Sequence, residues 1–257
     1  MKTKPLELLG VTCSVNESKL PAFRHALDYL LEHPKTCDAV EIRLDAIREH
    51  LYQVWAQIVQ VAQCKPTILT LRSKECGGHE VISLDDQLAF WNELPDDIRR
   101  LIFARDSRVY VDWGLDLLEF FSENSHRTGL EPPFPWRQII ASVHDFEETP
   151  RDLQSLLCRL ENTKADTFKL VTMAKKDDDS ERLMTLCLGR KDPRPLIAFT
   201  MGALGEASRF ACMGWGSFAT YGYLDGFGSA APGQVSVQLL MADGSVQHAR
   251  GMHGLCC

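Results

Sequence analysis

Residues 39–71 read A-V-E-I-R-L-D-A-I-R-E-H-L-Y-Q-V-W-A-Q-I-V-Q-V-A-Q-C-K-P-T-I-L-T-L. The stretch opens and closes on short runs rich in Val, Ile, Leu and Thr, which predict strands at Ala39–Leu44 and Thr67–Leu71. Between them Ile47, Leu51, Val54, Trp55, Ile58, Val61 and Ala62 trace one face at helical spacing, so a helix is expected over 46–63. A strand, a helix and a parallel strand in about 30 residues make one βα unit with its return.

The same rhythm extends in both directions. Further strands are predicted at Leu8–Cys13, Val109–Asp112, Gln138–Val143, Thr167–Thr172, Pro195–Thr200 and Ser217–Tyr221. Helical patterns fill 84–105, 114–126 and 150–160, the last opened by Thr149 as N-cap and Pro150 in the first turn. Eight strands alternating with helices predict an α/β fold, a (β/α)8 TIM barrel in a single domain over residues 1–257, with 240–257 as a C-terminal tail. The rival is an open doubly wound sheet. It is weakened because no G-x-G-x-x-G follows the first strand and no G-x-x-x-x-G-K-[ST] occurs.

Composition narrows the function. Apolar residues at 45% exclude disorder, and the net charge of −7 argues against a nucleic-acid surface. The longest uncharged stretches, 210–224 and 226–242, carry glycines and Pro232, so no membrane span is expected. The start, M-K-T-K-P-L-E-L-L-G, is too short and acidic for a signal peptide. Nine scattered cysteines, ending in an exposed Cys256-Cys257 pair, form no C-x-x-C and no Cys/His zinc spacing. The reading is a cytoplasmic protein with reduced thiols, no metal and no cofactor.

A barrel keeps its chemistry at the C-terminal ends of its strands. In V-E-I-R-L-D, Glu41 and Arg43 share one face, toward the barrel mouth, while Val40, Ile42 and Leu44 face the helices. Arg72 sits at a strand tip before Glu75 and a glycine pair. His144 ends the apolar run I-I-A-S-V-H-D-F, well placed for proton transfer. Lys169 lies inside A-D-T-F-K-L-V, and lysine is seldom buried without a partner or a task. Desolvation and nearby cations would favour a neutral amine able to form a Schiff base, while an ion pair with Glu41 is the alternative. Arg209 follows the loop F-T-M-G-A-L-G-E-A-S-R, and Pro232 and Gln234 are expected in the first turn of a helix. That helix end and Arg209 would form a carboxylate site. The run K-K-D-D-D-S-E-R at 175–182 reads as a solvated loop and helix start.

Six segments in order, V-E-I-R-L-D, L-R-S-K-E-C-G-G, I-I-A-S-V-H-D-F, A-D-T-F-K-L-V, F-T-M-G-A-L-G-E-A-S-R and A-P-G-Q, make the chain resemble the type I 3-dehydroquinate dehydratase family. The resemblance implies a metal-free (β/α)8 barrel, usually a homodimer, that dehydrates 3-dehydroquinate to 3-dehydroshikimate in the shikimate pathway. It implies that Lys169 forms the imine and that His144 removes the proton at ring carbon 2 and protonates the departing hydroxyl. Arg209 and Gln234 would hold the carboxylate, Glu41, Arg43 and Arg72 would read the ring hydroxyls, and Met201 would pack on the ring. It also implies fusion or association with shikimate dehydrogenase as one setting for such a chain. Three positions depart from the pattern: the serine that usually precedes Ala-Pro is replaced by Ala230, with Ser229 one residue earlier; Glu75, a candidate for orienting His144, stands one residue early; and Phe199 occupies a position where a second methionine is frequent. A class I Schiff-base aldolase and a non-catalytic metabolite-binding barrel are the alternatives.

Overall fold

A computed structural model describes residues 9–128 and 132–252. Its elements begin with β1 (Gly10–Val15), α1 (Leu20–Glu32), β2 (Ala39–Arg43), α2 (Trp55–Cys64) and β3 (Thr67–Thr70). Next come α3 (Leu84–Asn92), α4 (Asp96–Phe103), β4 (Val109–Gly114), α5 (Leu115–Thr128) and β5 (Ile139–Asp145). Then follow α6 (Leu153–Glu161), β6 (Thr167–Met173), α7 (Asp179–Gly189), β7 (Leu196–Met201) and α8 (Glu206–Ala211). The chain continues through β8 (Ala219–Tyr223), the two-residue β9 (Val235–Ser236), α9 (Val237–Ala242) and α10 (Gly244–Met252). All eight predicted strands form with small shifts at their ends; Leu8 of the first lies outside the described residues.

The strands pair in parallel in the order β7-β6-β5-β4-β3-β2-β1-β8-β9. The sheet curls until its ends meet, where the Phe218 N–H donates to the Leu196 carbonyl at 2.8 Å. At this seam the Ser217 hydroxyl accepts from the Ala198 N–H at 2.9 Å and donates to the Ala219 carbonyl at 2.8 Å, bridging β7 and β8 with a side chain. The architecture is the α/β TIM barrel expected, and the open sheet is set aside. Strand alternation turns Val40 and Ile42 toward the helices, leaving polar residues of the same strands to meet one another inside. The apolar side chains of strands and helices form one continuous core.

Five local expectations are corrected. The helix over 46–63 is two pieces: a 3-10 stretch, Leu44–Gln53, with Ile47 out of helical conformation, and α2 after a break at Val54. Asp45 pins the first piece by accepting from Arg43 and from the His79 N–H. The helix over 84–105 divides into α3 and α4 because Pro95 lacks an N–H and restricts Leu94 before it. The helix at 150–160 is capped by Asp152, whose carboxylate accepts from the Ser155 N–H at 2.9 Å, while Thr149 bonds to Thr172 and to the Met173 carbonyl. Residues 240–252 are no tail: Val246 and Ala249 of α10 are buried, and Arg250 grips Asp38 at 2.6 and 2.8 Å. Residues 253–257, including Cys256-Cys257, lie outside the described residues. The 175–182 run does begin a helix, but Asp179 is buried and accepts from the Lys175 and Lys176 N–H groups. No helix among the described residues is long and apolar enough to cross a membrane.

Candidate active site

β6 places Lys169 inside the barrel, where it is 3% exposed. Its Nζ donates to Glu41 Oε1 at 3.1 Å from β2 and to Asp112 Oδ2 at 3.2 Å from β4. On another side the ring of Tyr221 from β8 stands 4.1 Å from Nζ, centroid to nitrogen. This is the ion-paired alternative, with Glu41 as expected and Asp112 in addition. The charges in contact with the amine are carboxylates, where nearby cations were expected.

The carboxylates are held in turn. Glu41 accepts from the hydroxyls of Ser14 at 2.8 Å and Thr70 at 3.1 Å. Burial works to raise its pKa, but Lys169, Arg43, Arg72 and the Ser14 hydroxyl outweigh that and hold it at about 2. Asp112 accepts from Arg72 at 2.7 Å and from the Ser142 hydroxyl at 2.5 Å. Arg43 is a fork on Asp45 at 3.0 and 2.8 Å and also donates to the Gly77 carbonyl at 2.8 Å. That carbonyl belongs to the Gly77-Gly78 turn, where Gly77 has φ +81° and a side chain on Gly78 would run into the Arg72 carbonyl.

His144 sits on β5 opposite Val171, one inward position beyond the Ser142–Lys169 pair. Its Nδ1 is buried without a hydrogen-bond partner, and its ring lies 6.3 Å from that of Phe146 with 20° between the planes. Burial, reinforced by the positive charges of Arg72, Lys169 and Arg43, pushes its pKa well below the ordinary 6.5. At neutral pH it is an uncharged imidazole, ready to accept a proton.

The rim is completed by Met201 at the end of β7, Arg209 in α8, and Gln234 in the segment leading to β9. Arg209 is 1% exposed, donates only to the carbonyls of Tyr221 at 3.2 Å and Pro232 at 3.4 Å, and stacks 4.7 Å from the Phe199 ring. Its Nε has no partner, and it makes no ion pair with a described residue. Burial lowers its pKa to about 10, the cost of an unpaired cation that an incoming carboxylate would offset. Pro232 does not open a helix. It lies in a turn closed by the Gln234 N–H on the Ala231 carbonyl at 3.2 Å, and α9 starts only at Val237, capped by Ser236. The helix end expected beside Arg209 is therefore absent, because Gly233 at φ +66° turns the chain into β9.

Lys169, His144, Glu41, Arg43, Arg72, Met201, Arg209 and Gln234 line one cavity of about 40 Å³ with Ser14, Tyr221 and Ala230. That is room for water rather than for a ring-sized ligand in this conformation. Two predicted residues are not brought in. Ser229 is exposed and its hydroxyl donates to the Ala231 carbonyl at 2.9 Å, leaving Ala230 on the cavity wall. Glu75 is exposed in a short 3-10 turn and is taken by the Ser73 hydroxyl, so it does not orient His144. A larger depression of about 540 Å³ lies between α6 and α7, away from the strand ends. Among the described residues no group of three or more His, Cys, Asp and Glu could hold a metal ion.

Sequence reasoning missed Asp112, Ser14 and Tyr221. The signal for Asp112 was present: a carboxylate inside V-Y-V-D-W is as anomalous as a lysine inside F-K-L-V.

Comparison with known proteins adds four findings. Residues 20–242 match the family model described as type I 3-dehydroquinase. The 3-dehydroquinate dehydratase of Streptococcus mutans is 30% identical over 204 residues, covering 78% of this chain and 83% of that protein. A bifunctional 3-dehydroquinate dehydratase/shikimate dehydrogenase of Arabidopsis thaliana is 28% identical over 212 residues, covering 81% of this chain and 32% of that protein. Among solved structures, the type I 3-dehydroquinate dehydratase from Clostridium difficile, determined with covalently modified comenic acid, superposes with a TM-score of 0.71. It is 21% identical, with 98% of this chain and 94% of that one covered.

Proposed function

The chain belongs to the type I 3-dehydroquinase family, and from that premise we propose how its own residues dehydrate 3-dehydroquinate to 3-dehydroshikimate. The enzyme is a hydro-lyase of the shikimate pathway, working through a Schiff base. Lys169 is the amine that condenses with the ketone at ring carbon 3, releasing water. The protonated imine draws electrons and acidifies the hydrogens on carbon 2. The neutral imidazole of His144 takes one of them, and the C–H electron pair flows into an enamine. The enamine pair then returns, a double bond forms between carbons 1 and 2, and the carbon 1 hydroxyl leaves with the proton His144 carries. Hydrolysis of the imine frees the product and restores the amine.

The observation that carries this reading is a buried amine, within 3.2 Å of two carboxylates, beneath an imidazole held neutral. Arg209 supports the carboxylate-binding role, since it is the cation left without a carboxylate among these residues. Arg43 and Arg72 are anchored to Asp45 and Asp112, which aims them at ring hydroxyls rather than leaving them free to bind a second anion. We further place the protein in the cytoplasm, in keeping with seven free cysteines among the described residues, and as a homodimer, the family's usual assembly. The Arabidopsis relative supports shikimate dehydrogenase as a partner in fused forms.

The test is turnover of 3-dehydroquinate followed by the absorbance of the conjugated enone, alongside Lys169→Ala. The native chain is expected to turn over and the variant to be inactive. Carbon–carbon cleavage would point to an aldolase, binding without an absorbance change would point to a non-catalytic barrel, and full activity in Lys169→Ala would overturn the mechanism.

A further inference from the structure

Tyr221 stands on β8 among the groups just described, and its phenol has no task in the scheme above. The residue is 3% exposed, lines the cavity, and presents its ring face to the Lys169 amine at 4.1 Å. The hydroxyl is fully buried and has no hydrogen-bond partner. A buried O–H without a partner is costly, and a phenylalanine would fill the same space without that cost. The ring packs against Phe199, with centroids 5.7 Å apart, so packing alone does not call for a hydroxyl. Burial first, then the charges of Glu41 and Asp112, keep the phenol protonated, and Arg72 only partly opposes them. It is therefore a donor, and it lies within the field of the two carboxylates that hold the amine.

We propose that Tyr221 is a catalytic residue of the imine step, its O–H donating a hydrogen bond to the carbon 3 oxygen of the substrate as Lys169 adds to carbon 3. The proposal rests on the reading of Lys169 as the imine-forming amine. The nitrogen lone pair forms the C–N bond, and the carbonyl π pair moves to the oxygen. A proton passes from nitrogen to that oxygen, giving a neutral carbinolamine. His144 holds the proton that the Lys169 ammonium gave up to free its lone pair, and passes it to the oxygen, which leaves as water while the nitrogen pair closes the C=N bond. Tyr221 keeps its own proton throughout and stabilises the oxygen while it is most negative, as an oxyanion-hole donor does.

The experiment is Tyr221→Phe, read in two ways. The rate of borohydride-trappable adduct formation with 3-dehydroquinate is expected to fall about 100-fold, the lower end of the loss for an oxyanion donor. The thermal midpoint is expected to stay level or rise, because the unpartnered hydroxyl is gone while the ring against Lys169 remains. An adduct-forming rate equal to the native one overturns the proposal. So does a fall in turnover that comes with a lower midpoint and native trapping, which marks a structural role. If the native chain neither turns over nor traps substrate, the reading of Lys169 fails first and this inference falls with it, an outcome distinct from native turnover with an unaffected Tyr221→Phe variant.

Discussion

Lys169, Glu41, Asp112 and Arg72 stand on or at the ends of four strands, and each charge there meets an opposite one within 3.2 Å. Arg209, Ser229 and Gln234 close the site from α8 and the segment after β8, and their side-chain hydrogen bonds go only to backbone or to each other's segment: Gln234 accepts from the Ala230 N–H at 2.6 Å, and Ser229 bonds to the Ala231 carbonyl. The floor is a saturated charge network in a rigid sheet, which loses much when one member is removed. The roof keeps an unpaired guanidinium and a self-bonded amide in reserve for a ligand. The difference teaches where geometry is fixed before substrate arrives and where it is completed by it.

The sharpest way to break the floor is Asp112→Asn. It leaves Lys169 and Arg72 short of a countercharge, so a stability loss of about 3–5 kcal/mol in urea unfolding is expected, with turnover falling at least about 100-fold because the amine loses one of its two holders. A loss below about 1 kcal/mol would show that the network is not cooperative.

Acid should erode the floor before the roof. Glu41 is held at about 2 against an ordinary 4.5, so its contribution is present above pH 4.5 and is lost as pH falls toward 2. The difference corresponds to about 3 kcal/mol for a buried carboxylate. His144 has its folded pKa lowered, so the unfolded chain binds the extra proton, and stability already declines as pH drops below 6.5. Unfolding free energy measured from pH 7 to pH 3 should fall in both ranges, and Glu41→Gln should flatten the lower one.

The roof should respond in affinity. Arg209→Ala is expected to raise KM about 10–100-fold with little change in kcat, since a charged hydrogen bond to a carboxylate is made in ground and transition states alike. An equal fall in kcat would assign Arg209 to the chemistry. Ser229→Ala should change kcat/KM less than about twofold, because an exposed hydroxyl bonded to its own turn contributes little. A larger loss would mean that Ser229 swings inward when substrate binds.

The same division governs what the sequence made legible. Strands are read from alternation, and alternation also says which side chains face inward, so Glu41, Arg43, Lys169 and His144 were found together with the barrel. Asp112 obeys the same rule and carries the same signal, a charge inside an apolar strand, although the reading of the sequence did not draw on it. Roof residues follow turn geometry, which a local pattern does not determine. Pro232 resembles a helix start, yet Gly233 diverts the chain, and the one-residue displacement of Ser229 decides whether its hydroxyl meets solvent or substrate. Glu75 failed for the same reason, since a single residue in a 3-10 turn carries its carboxylate to Ser73 and away from His144. Helix boundaries were lost where a competing cap or proline intervened, at Asp152 and Pro95.

The central claim is that the buried Lys169 amine forms the covalent intermediate. Native protein incubated with 3-dehydroquinate, treated with borohydride and digested should carry the reduced adduct on the peptide containing Lys169 and on no other. Turnover without any trapped adduct, or an adduct on a different lysine, would contradict it.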